Sequence, residues 1–198
     1  MNRTLLIFIM IACALMIMVI GGKRFEERPE YMPWNIDIVL NNNIRVFGVT
    51  LGKTRIQDAN QILASFADTH LVKNGNKTQL VAVYNELNMA GLIAEIELLY
   101  DLEENKLAEL EKLSTQDNAH NSKHLPKDIE MDLLTTVVSK LTYKPSVDFE
   151  IDIILQRFGP AASEEKISEN IEHWFYPDMG LEIIIDKQGP DQFIYSSK

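Results

Sequence analysis

Residues 88–100, NMAGLIAEIELLY, decide the fold class of this chain. After the opening turn, apolar side chains occupy nearly every second position of Leu92–Tyr100, and Glu95 and Glu97 lie between them on the opposite side. A period of two is typical of a strand with one buried and one solvent-facing side. The glycine that ends the turn stands where a bulged hairpin favours a positive φ. We therefore predict an antiparallel hairpin with the preceding segment, KTQLVAVYNEL, at residues 77–87.

Helical segments are predicted on both sides of this hairpin. Thr54 is the expected N-cap of a helix with an apolar stripe at helical spacing, which consists of Ile56, Ala59, Ile62, Leu63 and Phe66. A second helix is predicted over residues 103–113, EENKLAELEKL. We assign residues 44–113 to a first α/β-sheet module and residues 114–127 to a polar linker.

The same order of elements is predicted again in the C-terminal part. Ser146 is the expected cap of a helix whose apolar positions are Val147, Ile151, Ile154, Leu155 and Phe158. A polar loop, the strand IEHWFY, the turn PDMG and the alternating strand LEIIID follow, and DQFIYSS supplies a further strand. With a leading helix at 128–141, these elements form a second module, residues 128–198. The predicted fold class is α+β: an N-terminal transmembrane helix followed by two related helix-plus-antiparallel-sheet modules.

The second copy resembles the SmpA/OmlA (BamE-like) family of small bacterial envelope modules. The resemblance is carried by a helix that ends in Phe158-Gly159, by WFYPDMGL at residues 174–181, and by the alternating strand after it. Two such units in tandem are similar to the beta-lactamase inhibitor protein fold. The resemblance implies an α+β architecture that supplies binding surfaces. The chain departs from it because it lacks a lipobox and, with Cys13 as its single cysteine, has no internal disulfide.

The first segment is predicted to be a membrane anchor, residues 1–22. Its core, LLIFIMIACALMIMVI at residues 5–20, is uninterrupted and, with the two glycines after it, has about the length of a bilayer core. Cys13 leaves two alternatives open, lipid attachment at the thiol and cleavage near the A-x-A motif around it. The anchor residues expected within the membrane include Leu5, Phe8, Leu15 and Ile20.

The anchor sets the expected location and partners. We predict a single-pass protein of the inner (cytoplasmic) membrane whose body lies in the periplasm, with residues 23–43 as the juxtamembrane linker. The chain carries a formal net charge of −10, which repels nucleic acid backbones and anionic headgroups. The expected partners are therefore another envelope protein and, through the N-terminal helix, the membrane, but not nucleic acid.

FGVTLGKT, residues 47–54, contains the residue types of a phosphate-binding P-loop. A P-loop needs four residues between its glycines, and this stretch has three between Gly48 and Gly52. The hairpin-linked strands downstream also differ from the parallel sheet that surrounds such loops. We therefore predict a loop that leads into a helix, and no nucleotide as partner.

Other chemical motifs are isolated. Ser163–Lys166 matches S-x-x-K without its companion motifs, and we interpret it as part of a loop. His120 and His124 have helical metal-ligand spacing but lie in a coil-like stretch. Glu95 and Glu97, like Glu182 and Asp186 in the other copy, are paired carboxylates that suit acid/base chemistry or the wet side of a sheet. We predict no catalytic residue, metal or cofactor, and no enzyme activity.

The predicted interaction surface is on the second module. Leu181, Ile183 and Ile185 are expected to cover the helices with Ile171 and Phe175, which leaves Trp174 and Tyr176 facing outward beside Glu182. Glu95 and Glu97 are the corresponding candidates in the first module. The predicted function is protein–protein interaction, in envelope assembly or enzyme inhibition. The alternative is a periplasmic domain that binds a small ligand or lipid in the groove between the two units.

Overall fold

The computed structural model describes residues 31–39, 42–75, 77–116 and 123–197. The predicted anchor, with Leu5, Phe8, Leu15 and Ile20, and most of the predicted linker lie outside the described residues. Within the described ranges, no helix has the length and apolar content that crossing a bilayer requires. The structure is α+β, but the predicted fold class, an N-terminal transmembrane helix followed by two related helix-plus-antiparallel-sheet modules, is wrong for the described residues, which contain no membrane-spanning helix and share one ten-stranded sheet.

The described ranges contain four α-helices and thirteen strands. The helices are α1 (Ile56–Ile62), α2 (Glu104–Leu113), α3 (Lys127–Leu133) and α4 (Ile151–Phe158). The strands are β1 (Asp37–Val39), β2 (Asn43–Val46), β3 (Val49–Thr50), β4 (Asp68–Asn74), β5 (Lys77–Met89), β6 (Leu92–Tyr100), β7 (Thr115–Gln116), β8 (Lys123–His124), β9 (Val138–Pro145), β10 (Ser163–Lys166), β11 (Ile171–Tyr176), β12 (Leu181–Asp186) and β13 (Gln192–Ser196).

One antiparallel sheet of ten strands, in the order β10-β11-β12-β13-β9-β6-β5-β4-β8-β7, runs through both predicted modules. Strand β9 joins them, because it pairs with β6 on one side and with β13 on the other. The predicted helix at 128–141 ends at Leu133 instead. The threonine and valine side chains at 135–138 are β-branched, which disfavours helix and favours strand. The second half of that segment therefore becomes β9 and closes the sheet.

Segments predicted as linkers also contribute strands. The polar linker at 114–127 contains β7 and β8, which extend one end of the sheet. The polar loop after α4, including the S-x-x-K match at 163–166, contains the edge strand β10. Charged side chains along a short edge strand are common because they discourage pairing with other chains. Short polar strands lack the alternation that marks the longer ones, so the pattern did not reveal them.

The helices pack on one side of the ten-stranded sheet. The Tyr84 hydroxyl of β5 donates to Asn60 Oδ1 of α1 at 2.7 Å. Phe158 of α4 contacts Phe193 of β13, with 5.9 Å between ring centroids. Leu110 of α2 is fully buried in the same core. The small sheet β1-β2-β3 lies on this side as well, since Phe47 in its turn stacks on Tyr143 and Tyr195, whose side chains point into the core.

Residues 31–36, predicted as linker, are part of the folded body. The Tyr195 hydroxyl donates to the carbonyl oxygen of Pro33 at 2.7 Å, although 162 positions separate the two residues. Trp34 lies edge-on to Phe149 at 5.8 Å and faces the Arg157 guanidinium at 4.6 Å. A cation over an indole face is a favourable contact. The segment therefore fastens the start of the described chain to the C-terminal half.

Two predicted helix caps are wrong. Helix α1 has Arg55 as its N-cap, and the Thr54 hydroxyl instead accepts the backbone N–H of Thr50 at 2.9 Å. Helix α4 begins at Ile151 with Glu150 as its N-cap, so Ser146 lies four residues earlier. Both predictions placed the cap at the first suitable polar residue, but helix ends depend on packing as well as on cap chemistry.

Candidate functional site

The second side of the ten-stranded sheet carries no helix or strand of the described chain. Side chains on the packed side are mostly fully buried, whereas those on the other side are mostly half-exposed. We call this second side the open face. Its central members are Val83, Glu95, Glu97, Thr142, Lys144, His173, Phe175, Glu182, Ile184 and Ile194.

Trp174 and Tyr176 do not belong to the open face, and their predicted outward orientation is wrong. Trp174 lies opposite Ile183, and Tyr176 lies opposite Leu181. Directly opposed residues share one face of an antiparallel pair. Both aromatic side chains are consequently in the core, each with 5% of its surface exposed. The Tyr176 hydroxyl donates to the Gly159 carbonyl oxygen at 3.1 Å.

The error has a simple cause in the sequence of β11. Both of its faces carry large apolar groups, Trp174 and Tyr176 on one and Ile171 and Phe175 on the other. Alternation alone gives no direction to such a strand, and a shift by one residue exchanges its faces. The pairing with β12 therefore assigns Phe175 and His173, rather than Trp174, to the open face.

One row of side chains crosses the open face at right angles to the strands. In strand order it contains Val83, Glu97, Thr142, Ile194, Glu182 and Phe175, each directly opposite the next. Neighbouring strands lie about 4.8 Å apart, so the row is roughly 24 Å long. It alternates half-exposed apolar side chains with carboxylates and one hydroxyl. The predicted candidates Glu97 and Glu182 both lie in it.

Lys144 of β9 binds two predicted candidates on β6. Its Nζ lies 2.6 Å from Glu97 Oε1 and 2.9 Å from Glu95 Oε1. Burial opposes the charge of Lys144, but its hydrogen bonds and attraction to Glu97 and Glu95 outweigh burial and raise its pKa above the ordinary value. The structure thus brings Glu95 and Glu97 together as one ion-pair network at the junction of β6 and β9.

Glu182 has its own partner on the neighbouring strand. Its Oε1 lies 2.6 Å from Nδ1 of His173, and both side chains are about a quarter to a third exposed. Glu182 lies three strands from Glu97, which corresponds to a separation of roughly 14 Å at about 4.8 Å per strand spacing. The two carboxylate sites are therefore separate along the row and do not form one catalytic dyad.

Apart from Lys144, the groups named here with displaced pKa values lie away from the open face. Hydrogen bonds from Lys73, Lys123 and Thr78 lower the pKa of Glu111 to about 2. Burial raises the pKa of Asp191 to about 6, and burial raises the pKa of Tyr84, Tyr143 and Tyr195 in the core. These groups occupy different parts of the packed side and its margin, so they do not converge on one reaction centre.

Among the described residues, neither His124 nor the glycine-rich stretch forms the site suggested by its motif. Within the described ranges no group of three or more His, Cys, Asp or Glu side chains has metal-ligand geometry. His120 lies outside the described residues, and His124 packs edge-on against His70 at 4.5 Å between centroids. In residues 47–54 the Gly52 N–H donates to the Val138 carbonyl oxygen at 2.8 Å, which ties this turn to β9.

The packed side carries open grooves. One of about 750 Å³ is lined by Tyr31, Trp34, Arg45 and Gln61 among others, and one of about 430 Å³ runs between α2 and the sheet. Neither corresponds to the predicted groove between two modules, because β6, β9 and β13 pair continuously at that position.

The sequence interpretation missed Lys144, Phe175, Ile184 and Ile194 as members of the site. For Lys144 the available signal was the alternation of residues 138–145, whose first half was assigned to the predicted helix at 128–141. Comparisons of the chain with protein-family models, with curated proteins and with solved structures find no match. The resemblance to SmpA/OmlA modules and to the inhibitor fold therefore stays a prediction from the motif, and the open face is the candidate site on its geometry alone.

Proposed function

We propose that this chain is a protein–protein interaction module and that the open face is its docking surface. The observation that carries the proposal is the row of half-exposed apolar side chains, Val83, Ile194 and Phe175, across a sheet face with no described element over it. Contiguous apolar surface framed by polar groups is typical of interaction sites. We propose no catalytic role, because Glu95 and Glu97 share an ion pair with Lys144.

The dimensions of the face support a protein partner. From β4 to β10 the sheet has eight strands, which gives a width of roughly 34 Å at about 4.8 Å per spacing. Strands of about six residues are roughly 20 Å long, so the face covers about 700 Å². A stable protein–protein interface buries about 800 Å² on each partner. The open face is thus large enough for one globular partner.

We propose that the partner is another envelope protein and that the interaction serves envelope assembly or enzyme inhibition. The location at the inner membrane, with the body in the periplasm, stays a prediction from residues 5–20. A second candidate function is small-ligand binding in the groove beside Trp34, since its volume of about 750 Å³ lies in the range of ligand pockets. We favour the first function over the second because the groove beside Trp34 is open to solvent. This groove also lies away from the ion-pair network of Lys144, Glu95 and Glu97.

Site-specific photocrosslinking in cells tests the proposed function. A photoreactive residue at Thr142, in the middle of the open face of the full-length chain, is expected to give a discrete crosslinked product. The matched control is Gln57, which is exposed on α1 on the packed side. A product at Gln57 and none at Thr142 would show that the interaction surface is elsewhere.

A further inference from the structure

We infer that the partner of the open face presents lysine or arginine side chains around an apolar centre. This inference rests on the proposed function and specifies the chemistry of its partner. It depends on three features of the open face: its charge balance, the positions of its carboxylates relative to its apolar side chains, and the way in which the carboxylates are held.

The open face is acidic. Among its described strand positions from β4 to β10, three lysines, Lys77, Lys140 and Lys144, occur beside six carboxylates. The carboxylates are Asp68, Glu95, Glu97, Glu165, Glu182 and Asp186. Since Lys144 compensates one charge of the Glu95–Glu97 pair, that pair keeps a formal charge of −1. A partner that covered this face without cations would leave carboxylates desolvated and unpaired, which is costly.

The carboxylates lie beside the exposed apolar side chains and not in a separate patch. In the row across the face, Glu97 lies directly opposite Val83, and Glu182 lies between Ile194 and Phe175. Each apolar contact is therefore within one strand spacing of a carboxylate, about 4.8 Å. A complementary surface needs apolar groups for Val83, Ile194 and Phe175, and cationic groups next to them.

The central carboxylates are already held in place. Lys144 holds Glu95 and Glu97, and His173 holds Glu182, through contacts of 2.6 to 2.9 Å. Fixed side chains lose less conformational entropy on binding than free ones. Their remaining acceptor positions can receive further N–H donors, because a carboxylate has about four lone-pair sites. Arginine or lysine of a partner supplies such donors.

The same charges disfavour two other occupants. Two copies of this chain that met through their open faces would place like charges opposite each other, which suppresses association. Anionic lipid headgroups and nucleic acid would be repelled for the same reason. A cationic protein surface is thus the occupant that the face fits by charge.

Two synthetic peptides of equal length and identical leucine positions test this inference. One has lysine and the other glutamate at its polar positions, and both are titrated against the full-length chain in nonionic detergent with fluorescence anisotropy as readout. We expect the lysine peptide to bind and the glutamate peptide not to bind. Raising the ionic strength from about 0.01 M to about 0.15 M shortens the Debye length and should weaken the binding.

Matched double variants locate the effect on the open face. Glu97→Gln with Glu182→Gln should weaken binding of the lysine peptide at least tenfold, about 1.4 kcal/mol. The control, Glu103→Gln with Glu104→Gln, also removes two negative charges, but from exposed positions at the start of α2. It should leave the affinity for the lysine peptide nearly unchanged. Thermal unfolding of each variant verifies that it is folded.

Each other outcome overturns the inference. If both peptides bind equally and Ile194→Ser abolishes that binding, the open face is an apolar docking surface without a charge preference. An equal loss in both double variants would indicate general attraction to an acidic protein. If neither peptide binds, or if the crosslinker at Thr142 joins two copies of this chain, the inference of a cationic partner is wrong. The photocrosslinking at Thr142 reports on the proposed function independently of these outcomes.

Discussion

Trp174 lies directly opposite Ile183 in the β11–β12 pair, and both side chains are buried in the core. Because Trp174 faces the core, its strand neighbours His173 and Phe175 face the open side. This single pairing fixes which residues of the C-terminal half are available to a partner.

Truncation of Trp174 should destabilise the fold. Trp174→Ala removes a large side chain from the core, and we expect a loss of about 3–5 kcal/mol in the free energy of unfolding, measured by chemical denaturation. Trp174→Phe should cost much less, because it preserves most of the volume and removes an indole N–H that has no hydrogen-bond partner among the described residues. A Trp174→Ala variant with normal stability and impaired partner binding would contradict the core assignment.

The ion-pair network of Lys144 predicts that removing the lysine charge alone destabilises the fold more than removing the Lys144 and Glu97 charges together. Lys144→Met leaves Glu95 and Glu97 half-buried and unpaired, and we expect a loss of about 1–2 kcal/mol in denaturant unfolding, since both carboxylates retain some solvent. Adding Glu97→Gln should recover part of that loss. Lys140→Met, on the same strand and face, serves as the control and should cost less than about 0.5 kcal/mol. Equal effects at Lys140 and Lys144 would argue against the network.

Asp191 should make stability depend on pH between about 4 and 6. Its pKa is about 6 in the folded chain and 3.8 ordinarily, mainly because of burial. The folded state therefore holds this proton more tightly than the unfolded state, and its contribution to stability is present at low pH and is lost as pH rises through this window.

Asp191→Asn tests this dependence, because the amide oxygen can still accept the Asp186 N–H that Asp191 Oδ1 now accepts at 3.0 Å. Because the asparagine stays neutral, the melting temperature of the variant should rise relative to that of the wild type between pH 4 and pH 6. Above pH 6 the difference between the two melting temperatures should stay constant. A difference that is the same at pH 4 and pH 7 would show that Asp191 does not titrate in this range.

The turn between β11 and β12 should require glycine at position 180. Gly180 has a φ of +58°, and a Cβ there would overlap the Ser196 carbonyl oxygen and lie 2.9 Å from Ile44 Cγ1. We expect Gly180→Ala to cost more than about 2 kcal/mol, because conformational strain adds to a steric clash. Gly91 provides the comparison: its φ is +94°, but a Cβ meets no atom within 4 Å, so Gly91→Ala should cost about 1 kcal/mol. Similar melting temperatures for the two variants would mean that the clash is relieved.

Local sequence patterns predicted the elements whose two sides differ in chemistry. The strands at 92–100 and 181–186 alternate apolar and polar residues, and residues 103–113 have helical spacing, so all three were placed correctly. The open face and its carboxylates follow from the same alternation. The alternation accordingly predicts that Glu95, Glu97 and Glu182 lie on the polar side of the sheet.

Tertiary structure decided the rest, because the information lies in pairings between distant residues. Strand β11 has large apolar groups on both faces, so the register with β12 had to orient it. Residues 138–145 gain strand structure from β6 and β13, which lie 38 or more positions away in the chain at their nearest ends. Lys144 meets Glu97 across 47 positions, which no local periodicity encodes. The sequence by itself determined which segments are amphipathic. The burial of one side of each segment in a shared core determined that the two predicted modules of this chain form a single sheet with one open face.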